Sequence, residues 1–552
     1  MKQKPTPLGI DFYETVATDC YYVDKTGLLE TIVAYPSGTC LLFTRPRRFG
    51  KTLMLSMLQS FFEDSSLDKS IYFQDKKIWK SQEIVKQHFQ KYPLIHINLK
   101  NVIGEDFSSL MDKLKETMRK EYARHQDILP SLNEEEKQFY SSILDKNETQ
   151  NDLSSSLARL TEFLAKSSKK KVILLIDEYD TPVHYAYDYG FYDPTILFFK
   201  QFFGESLKTN PNIQLAVLTG ILQIAKESLF SGLNNLVTNT VLSKNMDEGF
   251  GFTEEETKDI LKYYGVGNQF EEVSSWYGGY RFGDKTIFNP LSVLSFIQNG
   301  GVLAPYWNNT GESKTLGSLL TPDSLSSVFP LLNDEETVVE VDLAISYKDL
   351  NGSSSSLISY LLASGYFSID NDYGDGFFSL KLPNKEIKYA FQKEIRSRYI
   401  DKDQLPLVFQ MRQAFEKGDA KQIQTLIQDY LLSTFSCFEM NKEKNYQILI
   451  STMLSVIFDN SIVKNEVNAG SGRADIIVTP RNNKELAFVI EIKCLKTRTT
   501  KERLNQSALS AISQIKEKGY SDELLRSNIK NILLFGMSFY QNKAAIQCEK
   551  VK

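Results

Sequence analysis

Two short stretches of the 552-residue sequence combine residue types that could handle phosphate. The first, RPRRFGKT, runs from Arg45 to Thr52 between an apolar run typical of a strand and a periodic apolar segment typical of a helix. Backbone N–H groups at a helix N-terminus bind phosphate, and Gly50 would let the backbone approach it closely. Lys51 would then reach the β- and γ-phosphates of a nucleotide, and Thr52 would ligate Mg²⁺. One departure from the GxxxxGK[ST] pattern is Arg45, which stands at the first glycine position.

A pair of acidic residues supports this interpretation. The apolar run VILLI, residues 172–176, ends in Asp177 and Glu178, which a parallel sheet would place at its C-terminal edge beside the loop. Asp177 can hold Mg²⁺ through water, and Glu178 can polarise an attacking water. A further run ends at Thr219, which we predict to sense the γ-phosphate, although threonine is also a common strand former. The predicted nucleotide-binding residues are Arg48, Phe49, Gly50, Lys51, Thr52, Asp177 and Thr219.

The second stretch lies near the C-terminus and contains Asp475 and the tripeptide Glu491-Ile492-Lys493. The runs ADIIVT and AFVIEIK that carry them are predicted to form a hairpin, which would bring the two carboxylates together. With the backbone carbonyl of Ile492, these carboxylates are hard oxygen ligands suited to Mg²⁺ or Mn²⁺. Strand alternation puts Lys493 on the face of Glu491, where it can orient water or stabilise charge on a phosphate. Tripeptides of this kind are common on surface strands, so the apolar run leading directly into Glu491 is the feature that favours a nuclease.

The elements that must position these residues divide the sequence into three parts. Apolar strand-like runs alternate with helical segments in residues 1–240, which predicts an α/β fold with a parallel sheet. Residues 241–435 are mostly helical and rich in aromatic residues, as a lid or linker would be. Residues 436–552 return to an α/β pattern.

Composition excludes several other classes of protein. At roughly 150 residues per domain, the chain is too long for one core. Its net charge of −5 argues against a surface that coats nucleic acid uniformly, but not against a local basic groove. Five cysteines with no CxxC pair argue against a zinc ribbon or a disulfide framework. No apolar run is long enough for a membrane span, and a cytoplasmic protein is expected.

The N-terminal motifs resemble those of the AAA-ATPase-like family of bacterial proteins. The segments that carry the resemblance are YYVDKTGLLE, RPRRFGKTLMLSML, LLIDEYDTPV and the later WYGGYRFG, which together cover most of residues 7–300. RPRRFGKT is that family's own form of the loop, so the resemblance implies that Arg45 is a shared feature. It leaves open the role of Asp24 and Lys25 in the VDKT segment.

The C-terminal motifs resemble a PD-(D/E)XK nuclease domain that is often fused to this ATPase family. EKNYQ, VNAGSGRADIIVTP and VIEIKCLKT carry this resemblance over about residues 436–540, and it implies a restriction-endonuclease-like fold. It also implies that Glu443 is an accessory acid of the metal site and that Gln514 lies nearby. Gln447 is a mild departure, because relatives commonly carry histidine there. Basic residues that could form a rim for a phosphate backbone, or simply be solvated, are Lys464, Arg473, Arg481, Lys496, Arg498, Lys501 and Arg503.

These observations predict a protein that binds and hydrolyses ATP and thereby controls a Mg²⁺-dependent endonuclease, with DNA favoured over RNA as substrate. A first alternative is a nucleotide-dependent switch that binds nucleic acid or a protein partner without cutting. A second is a kinase-like P-loop enzyme with a structural tail. The resemblance also leaves a homo-oligomer open.

Overall fold

The computed structural model of the protein divides into two units. One comprises Met1–Gly311 and Val338–Ile387, and the other Glu312–Thr337 and Lys388–Lys552. Because residues 241–435 are shared between these units, the three-part division of the sequence stays a prediction. Within the part of the chain that the structure describes, no helix is long and apolar enough to cross a membrane. The described residues are 3–223, 229–230, 232–307, 328, 331, 337–351, 354–399, 405–434, 443–458, 461–481, 486–497 and 499–551.

The first unit is built on a five-stranded sheet whose strands all run parallel, in the order β2-β3-β4-β1-β5. Every residue of β1 and β3 is buried, as expected for strands covered on both faces. The predicted parallel α/β fold is confirmed. The apolar runs 39–44, 94–99, 172–177 and 213–219 predict β1 to β4, and their ends agree with the structure within one residue. The strands are β1 (Thr39–Thr44), β2 (Leu94–Asn98), β3 (Val172–Asp177), β4 (Ile213–Gly220) and β5 (Leu236–Asn239).

The helix that follows β1 begins at Lys51, as predicted. Several other helices begin with a capping box, in which the N-cap side chain and the third helical residue bond each other's backbone N–H, as at Asp106, Asn133, Thr149 and Thr253. The α-helices of this unit are Tyr13–Asp19, Leu28–Val33, Lys51–Phe62, Gln82–His88, Phe107–Arg124, Glu134–Leu144, Gln150–Ser168, Thr181–Asp188, Tyr192–Leu207, Glu254–Tyr263, Phe270–Tyr277, Pro290–Gln298 and Ser354–Ala363.

The middle of the chain is helical, as predicted, but also contains two three-stranded sheets that the sequence analysis did not anticipate. The first has the order β6-β8-β7 and the second β10-β11-β9. Their strands are short and lie in an aromatic-rich part of the sequence, so they were not recognised as strands. They are β6 (Phe252–Thr253), β7 (Tyr280–Phe282), β8 (Lys285–Phe288), β9 (Thr337–Glu340), β10 (Ser368–Gly374) and β11 (Phe377–Lys381).

The C-terminal part of the second unit is a mixed five-stranded sheet in the order β12-β13-β14-β15-β16. Its only parallel pair among the described residues is β14 with β15; the other neighbours are antiparallel. The predicted hairpin is confirmed, with Ile476 opposite Ile490, although part of its turn, residues 482–485, lies outside the described residues. The strands are β12 (Ser461–Ala469), β13 (Gly472–Pro480), β14 (Ala487–Cys494), β15 (Ile532–Tyr540) and β16 (Lys543–Lys550).

Helices cover both faces of this sheet. Phe415, Ile427 and Leu454 pack with Phe488 and Phe535 in one apolar cluster. On the other face Ile512 and Ile515 pack with Val489 and Leu534. The remaining α-helices are Lys385–Tyr399, Leu405–Lys417, Ala420–Thr434, Glu443–Ile457, Lys501–Lys518 and Asp522–Arg526.

The burial of Glu386, in the first unit, predicts that the stability of the protein depends on pH. Its carboxylate is fully buried and accepts hydrogen bonds from Ser292 Oγ (2.7 Å) and the Trp307 N–H (2.8 Å). Burial raises its pKa from 4.5 to about 7. A raised folded-state pKa means that the stabilising contribution is fully present below pH 4.5 and is lost as the pH rises through about 7. The free energy of unfolding should therefore fall by up to about 3 kcal/mol between pH 4.5 and pH 8 on account of this group.

Urea unfolding at pH 5 and at pH 8 would test this, with Glu386→Gln as the comparison. The amide cannot ionise, so the difference between the two pH values should shrink in the variant. An equal pH dependence in both proteins would contradict the assignment to Glu386.

Candidate functional site

The loop between β1 and the helix Lys51–Phe62 has a conformation in which it could bind an anion. Arg48 (φ 67°) and Gly50 (φ 89°) are both left-handed, and Gly50 directly precedes the helix. The N-terminus of this helix carries free N–H groups and the positive end of the helix dipole. Lys51 is buried, and its Nζ donates hydrogen bonds to the carbonyl oxygens of Arg45 (2.9 Å) and Pro46 (3.1 Å). The lysine therefore lies across the loop, where phosphate oxygens could replace the two carbonyls as its partners.

Arg45 has a structural position. Its fully buried guanidinium donates to the carbonyl oxygens of Thr44 and Asn239, each at 2.9 Å, and to the Asn239 side chain. The guanidinium carbon also lies 4.9 Å and 5.2 Å from the ring centres of Phe250 and Phe282. Burial lowers its pKa to about 9, so the group stays charged at neutral pH. The residue at the first glycine position thus anchors the loop to β5.

Phe49 and Arg48 differ in what they could offer a nucleotide. The Phe49 ring is buried, with its centre 5.0 Å and 5.1 Å from the rings of Tyr280 and Phe282. Its carbonyl oxygen accepts a hydrogen bond from the Gly251 N–H (3.0 Å). Phe49 can therefore contribute its backbone N–H but not its side chain. Arg48 is exposed.

Three predicted residues meet at the carboxyl edge of the sheet. The Asp177 carboxylate is fully buried and accepts hydrogen bonds from Thr52 Oγ1 (2.8 Å) and Thr219 Oγ1 (2.5 Å). Burial raises the pKa of Asp177, and the two hydroxyl donors oppose that shift. Asn98 Nδ2 also donates to this carboxylate (3.0 Å). Asn98 was missed in the sequence, although its position at the end of a predicted strand places it at the same sheet edge as Asp177.

Glu178 has the backbone conformation of a strained residue. Its φ is 52°, a value that costs a non-glycine residue about 1–3 kcal/mol and that clusters at functional sites. Its side chain is half-buried, and Oε2 accepts a hydrogen bond from Thr181 Oγ1 (3.0 Å). Nearby, the buried Asp180 accepts from the N–H groups of Ile221 and Leu222 and so holds the segment that follows β4. Asp180 was not singled out in the sequence.

In the second unit, Asp475 on β13 meets the central part of β14. Asp475 Oδ2 accepts a hydrogen bond from the Ile492 N–H (2.7 Å), just beyond the last paired residues of the β13–β14 ladder. The N–H and C=O of one strand residue point to the same edge. The Ile492 carbonyl therefore faces the Asp475 side, as a metal ligand there would require.

Glu491 and Lys493 lie on the same face of β14, as predicted. Lys493 Nζ donates to Glu491 Oε1 (3.1 Å) and to Gln514 Oε1 (2.6 Å). The Gln514 amide in turn donates to Glu491 Oε1. Gln514, from the helix Lys501–Lys518, thus orients both residues.

Glu443 and Gln447 attach the first helix of this domain to the two site strands. Glu443 Oε2 accepts a hydrogen bond from the Cys494 N–H (3.1 Å) on β14. Gln447 Nε2 donates to the Asp475 carbonyl (2.9 Å) on β13. Gln447 therefore fixes the backbone of Asp475, a role its amide can perform in place of histidine.

A bound cation would stabilise the charged forms of the two carboxylates at this site. Burial raises the pKa of Asp475 to about 6 and that of Glu491 to about 7. Glu491 Oε2 is buried without a hydrogen-bond partner. A divalent cation would satisfy that oxygen and favour both ionised forms. The residues expected to hold the cation remain Asp475, Glu491 and the Ile492 carbonyl, with Glu443 as an accessory acid whose charge also raises the pKa of Asp475. Among the described residues, no group of three or more His, Cys, Asp or Glu suited to a metal occurs.

Only part of the predicted basic rim lies among the residues that the structure describes. Arg473 forms an ion pair with Glu466 (2.7 Å), which reduces its local positive charge. Arg498 lies outside the described residues.

Gln514 gives a prediction for this site. Gln514→Leu would remove both amide contacts, leaving Lys493 and Glu491 less well oriented. Loss of such a supporting contact typically costs about 10–100-fold in activity or metal affinity. We expect a cleavage rate lower by that factor, measured on a labelled DNA duplex with Mg²⁺. Ser510→Ala on the exposed side of the same helix is the control, and equal rates for the two variants would contradict the role.

Comparison with known proteins agrees with this geometry. Residues 7–230 match the family described as predicted AAA-ATPase, and residues 441–549 match the PD-(D/E)XK nuclease superfamily. The chain is also 24% identical over 566 residues to an uncharacterized protein in the vnfD 5′ region of Azotobacter chroococcum mcd 1. That alignment covers 99% of this chain and 98% of the relative. The resemblances predicted from the motifs are confirmed.

Proposed function

Since the chain carries an AAA-ATPase-like domain and a PD-(D/E)XK nuclease superfamily domain, we propose that it binds and hydrolyses ATP and that its nucleotide state controls a Mg²⁺-dependent endonuclease. DNA is the favoured substrate. The observation that carries the nuclease part is the buried, unpartnered Glu491 Oε2 beside Asp475 and Lys493. A module that only binds nucleic acid gains nothing from such a costly arrangement.

In the proposed ATPase, the phosphates lie at the N-terminus of the helix Lys51–Phe62. Lys51 exchanges its two carbonyl partners for β- and γ-phosphate oxygens. Thr52 and Asp177 would hold the Mg²⁺ that accompanies ATP, which is consistent with the contact between their side chains. Glu178 acts as the general base that orients the attacking water. Thr219 senses the γ-phosphate and is linked to Asp177 by its hydrogen bond.

In the proposed nuclease, Asp475, Glu491 and the Ile492 carbonyl would hold a divalent cation. When bound, it would offset the negative charge of the phosphodiester and activate water. Lys493 orients that water and stabilises charge on the phosphate, and Gln514 keeps the lysine in place. Glu443 and Gln447 keep β13 and β14 in register around the site.

Control by nucleotide needs an element that responds to the proposed P-loop, residues 45–52. In the first unit, the residues that follow the helix Ser354–Ala363 meet the loop directly. A Cβ on Gly365 (φ 88°) would lie only 2.7 Å from Pro46 Cβ, so the backbone of Gly365 packs closely against the Pro46 ring. A rearrangement of the P-loop on ATP binding would therefore change its contact with residues 338–387, to which Gly365 belongs.

A cleavage assay tests the proposal. Labelled DNA and RNA are incubated with the full chain, with Mg²⁺ or Mn²⁺, and with or without ATP, while phosphate release is followed in parallel. We expect metal-dependent cleavage whose rate changes with ATP. Absence of cleavage under every condition, together with nucleic-acid binding that responds to ATP, would favour the switch without nuclease activity.

A further inference from the structure

A cavity of about 170 Å³ opens beside the P-loop in the first unit. Gly50 and Leu53 form the side nearest to the phosphate site. Other walls come from the N-terminal residues 7–11, from residues 21–23 and Lys25, and from Leu291. Ligand pockets in proteins commonly measure about 300–1,000 Å³, so this cavity suits one part of a ligand rather than a whole nucleotide.

The walls of the cavity are mostly apolar. Leu8, Val16, Val23, Met54 and Leu294 contribute to the lining, together with the rings of Tyr21 and Tyr22. A flat heterocycle gains from burial between such side chains, whereas a phosphate does not. The polar end of a nucleotide would instead lie at the helix N-terminus, where Gly50 belongs to both the cavity and the loop.

Lys25 connects two of the walls. Its Nζ forms an ion pair with Glu256 Oε2 (2.6 Å) and donates to the Glu248 carbonyl (2.7 Å). The lysine side chain itself lines the cavity and is only 14% exposed. The wall from residues 21–25 is thereby tied to the segment that contains Gly249 and Gly251, which also line the cavity.

Gly251 joins that segment to the P-loop. Its N–H donates to the Phe49 carbonyl, and at φ 75° a Cβ would come within 2.9 Å of the Phe49 ring. Only glycine permits this approach. The loop, the Gly251 segment and the VDKT segment therefore form one connected frame around the cavity.

We propose that this cavity receives the base of the nucleotide whose phosphates bind at the P-loop, and that Lys25 is a positioning residue that holds its walls together. The proposal rests on the proposed ATP binding. It gives the VDKT segment a role, which is to build the base site. It also extends the nucleotide site to residues 249–252 and 290–294, beyond the matched residues 7–230.

The test compares ATP with inorganic tripolyphosphate, which has the phosphates but no base. Both affinities are measured by calorimetry with Mg²⁺ on the full chain. Leu291→Trp should fill the cavity and weaken ATP binding by about tenfold or more, while tripolyphosphate binding stays within about twofold of the wild type. Leu197→Trp, at an exposed position away from the cavity, should change neither affinity.

Lys25→Met is the second variant, because it disturbs the walls without adding bulk. It should also weaken ATP selectively and leave tripolyphosphate binding unchanged. ATP affinity that is unaffected by both variants, or an equal loss of both ligands, would overturn the base site. A wild-type chain that binds neither ligand would instead overturn the proposed function, and Lys51→Ala should weaken both ligands if that function is correct.

Discussion

If the C-terminal domain is the proposed nuclease, Glu491→Gln is expected to abolish cleavage while leaving that domain folded. Glutamine has nearly the same shape, and its carbonyl oxygen can keep the contacts of Oε1 with Lys493 and Gln514. What it removes is the negative charge of the unpartnered Oε2. Loss of one charged group that acts on a transition state or a metal costs about 10²–10³ in rate, so we expect a decrease of at least about that size.

The same substitution should not lower stability. Burial already raises the pKa of Glu491 to about 7, which means that the ionised carboxylate is unfavourable in the metal-free fold. A neutral amide avoids that cost, so the thermal midpoint without metal should be equal or higher. In the wild type, Mg²⁺ or Mn²⁺ should raise the midpoint, and in Glu491→Gln it should not.

Glu523→Gln is the matched control for this experiment. Glu523 is an exposed acidic residue on the helix Asp522–Arg526 and does not belong to the candidate site. Its cleavage rate should remain near that of the wild type. Cleavage that survives Glu491→Gln would contradict the nuclease assignment whatever the response to ATP.

The strands, and the grouping of residues at the two candidate sites, were predictable because their signals are local. β1 and β3 are continuous apolar runs, and each ends in a polar residue, Thr44 and Asp177 respectively. The parallel order of the sheet then brings Thr52, Asp177 and Thr219 together at one edge. In the same way, the β13–β14 hairpin brings Asp475 close to the backbone of Ile492.

Contacts between distant segments were not predictable. The position of Arg45 depends on contacts with Asn239, Phe250 and Phe282, which come far later in the chain. Lys25 likewise acquires a partner in Glu256 that no pattern in the sequence indicates. β16 was missed because its alternation of apolar and polar residues is weak, and it forms by pairing with β15.

Two variants of the proposed ATPase site should separate nucleotide binding from hydrolysis. Lys51→Ala removes the cation that faces the phosphates, so ATP binding itself should be lost. Glu178→Gln keeps the size of the side chain and the phosphate site but removes the base. Its hydrolysis rate should fall by about 10²–10⁴ while ATP affinity stays near that of the wild type. Phosphate release and calorimetric binding measure the two effects, and Glu205→Gln, on the exposed face of the helix Tyr192–Leu207, is the control.

These variants also decide how ATP would control cleavage. If the bound nucleotide is the signal, Glu178→Gln with ATP should cleave at the rate of the wild type with ATP bound. Lys51→Ala should cleave at the rate of the wild type without ATP. If turnover is the signal, both variants should resemble the wild type without ATP, because neither hydrolyses it. Equal, ATP-dependent cleavage in the wild type and in Lys51→Ala would contradict control through this P-loop. The packing of Gly365 on Pro46 favours the first result, because binding alone would alter the loop that this segment contacts.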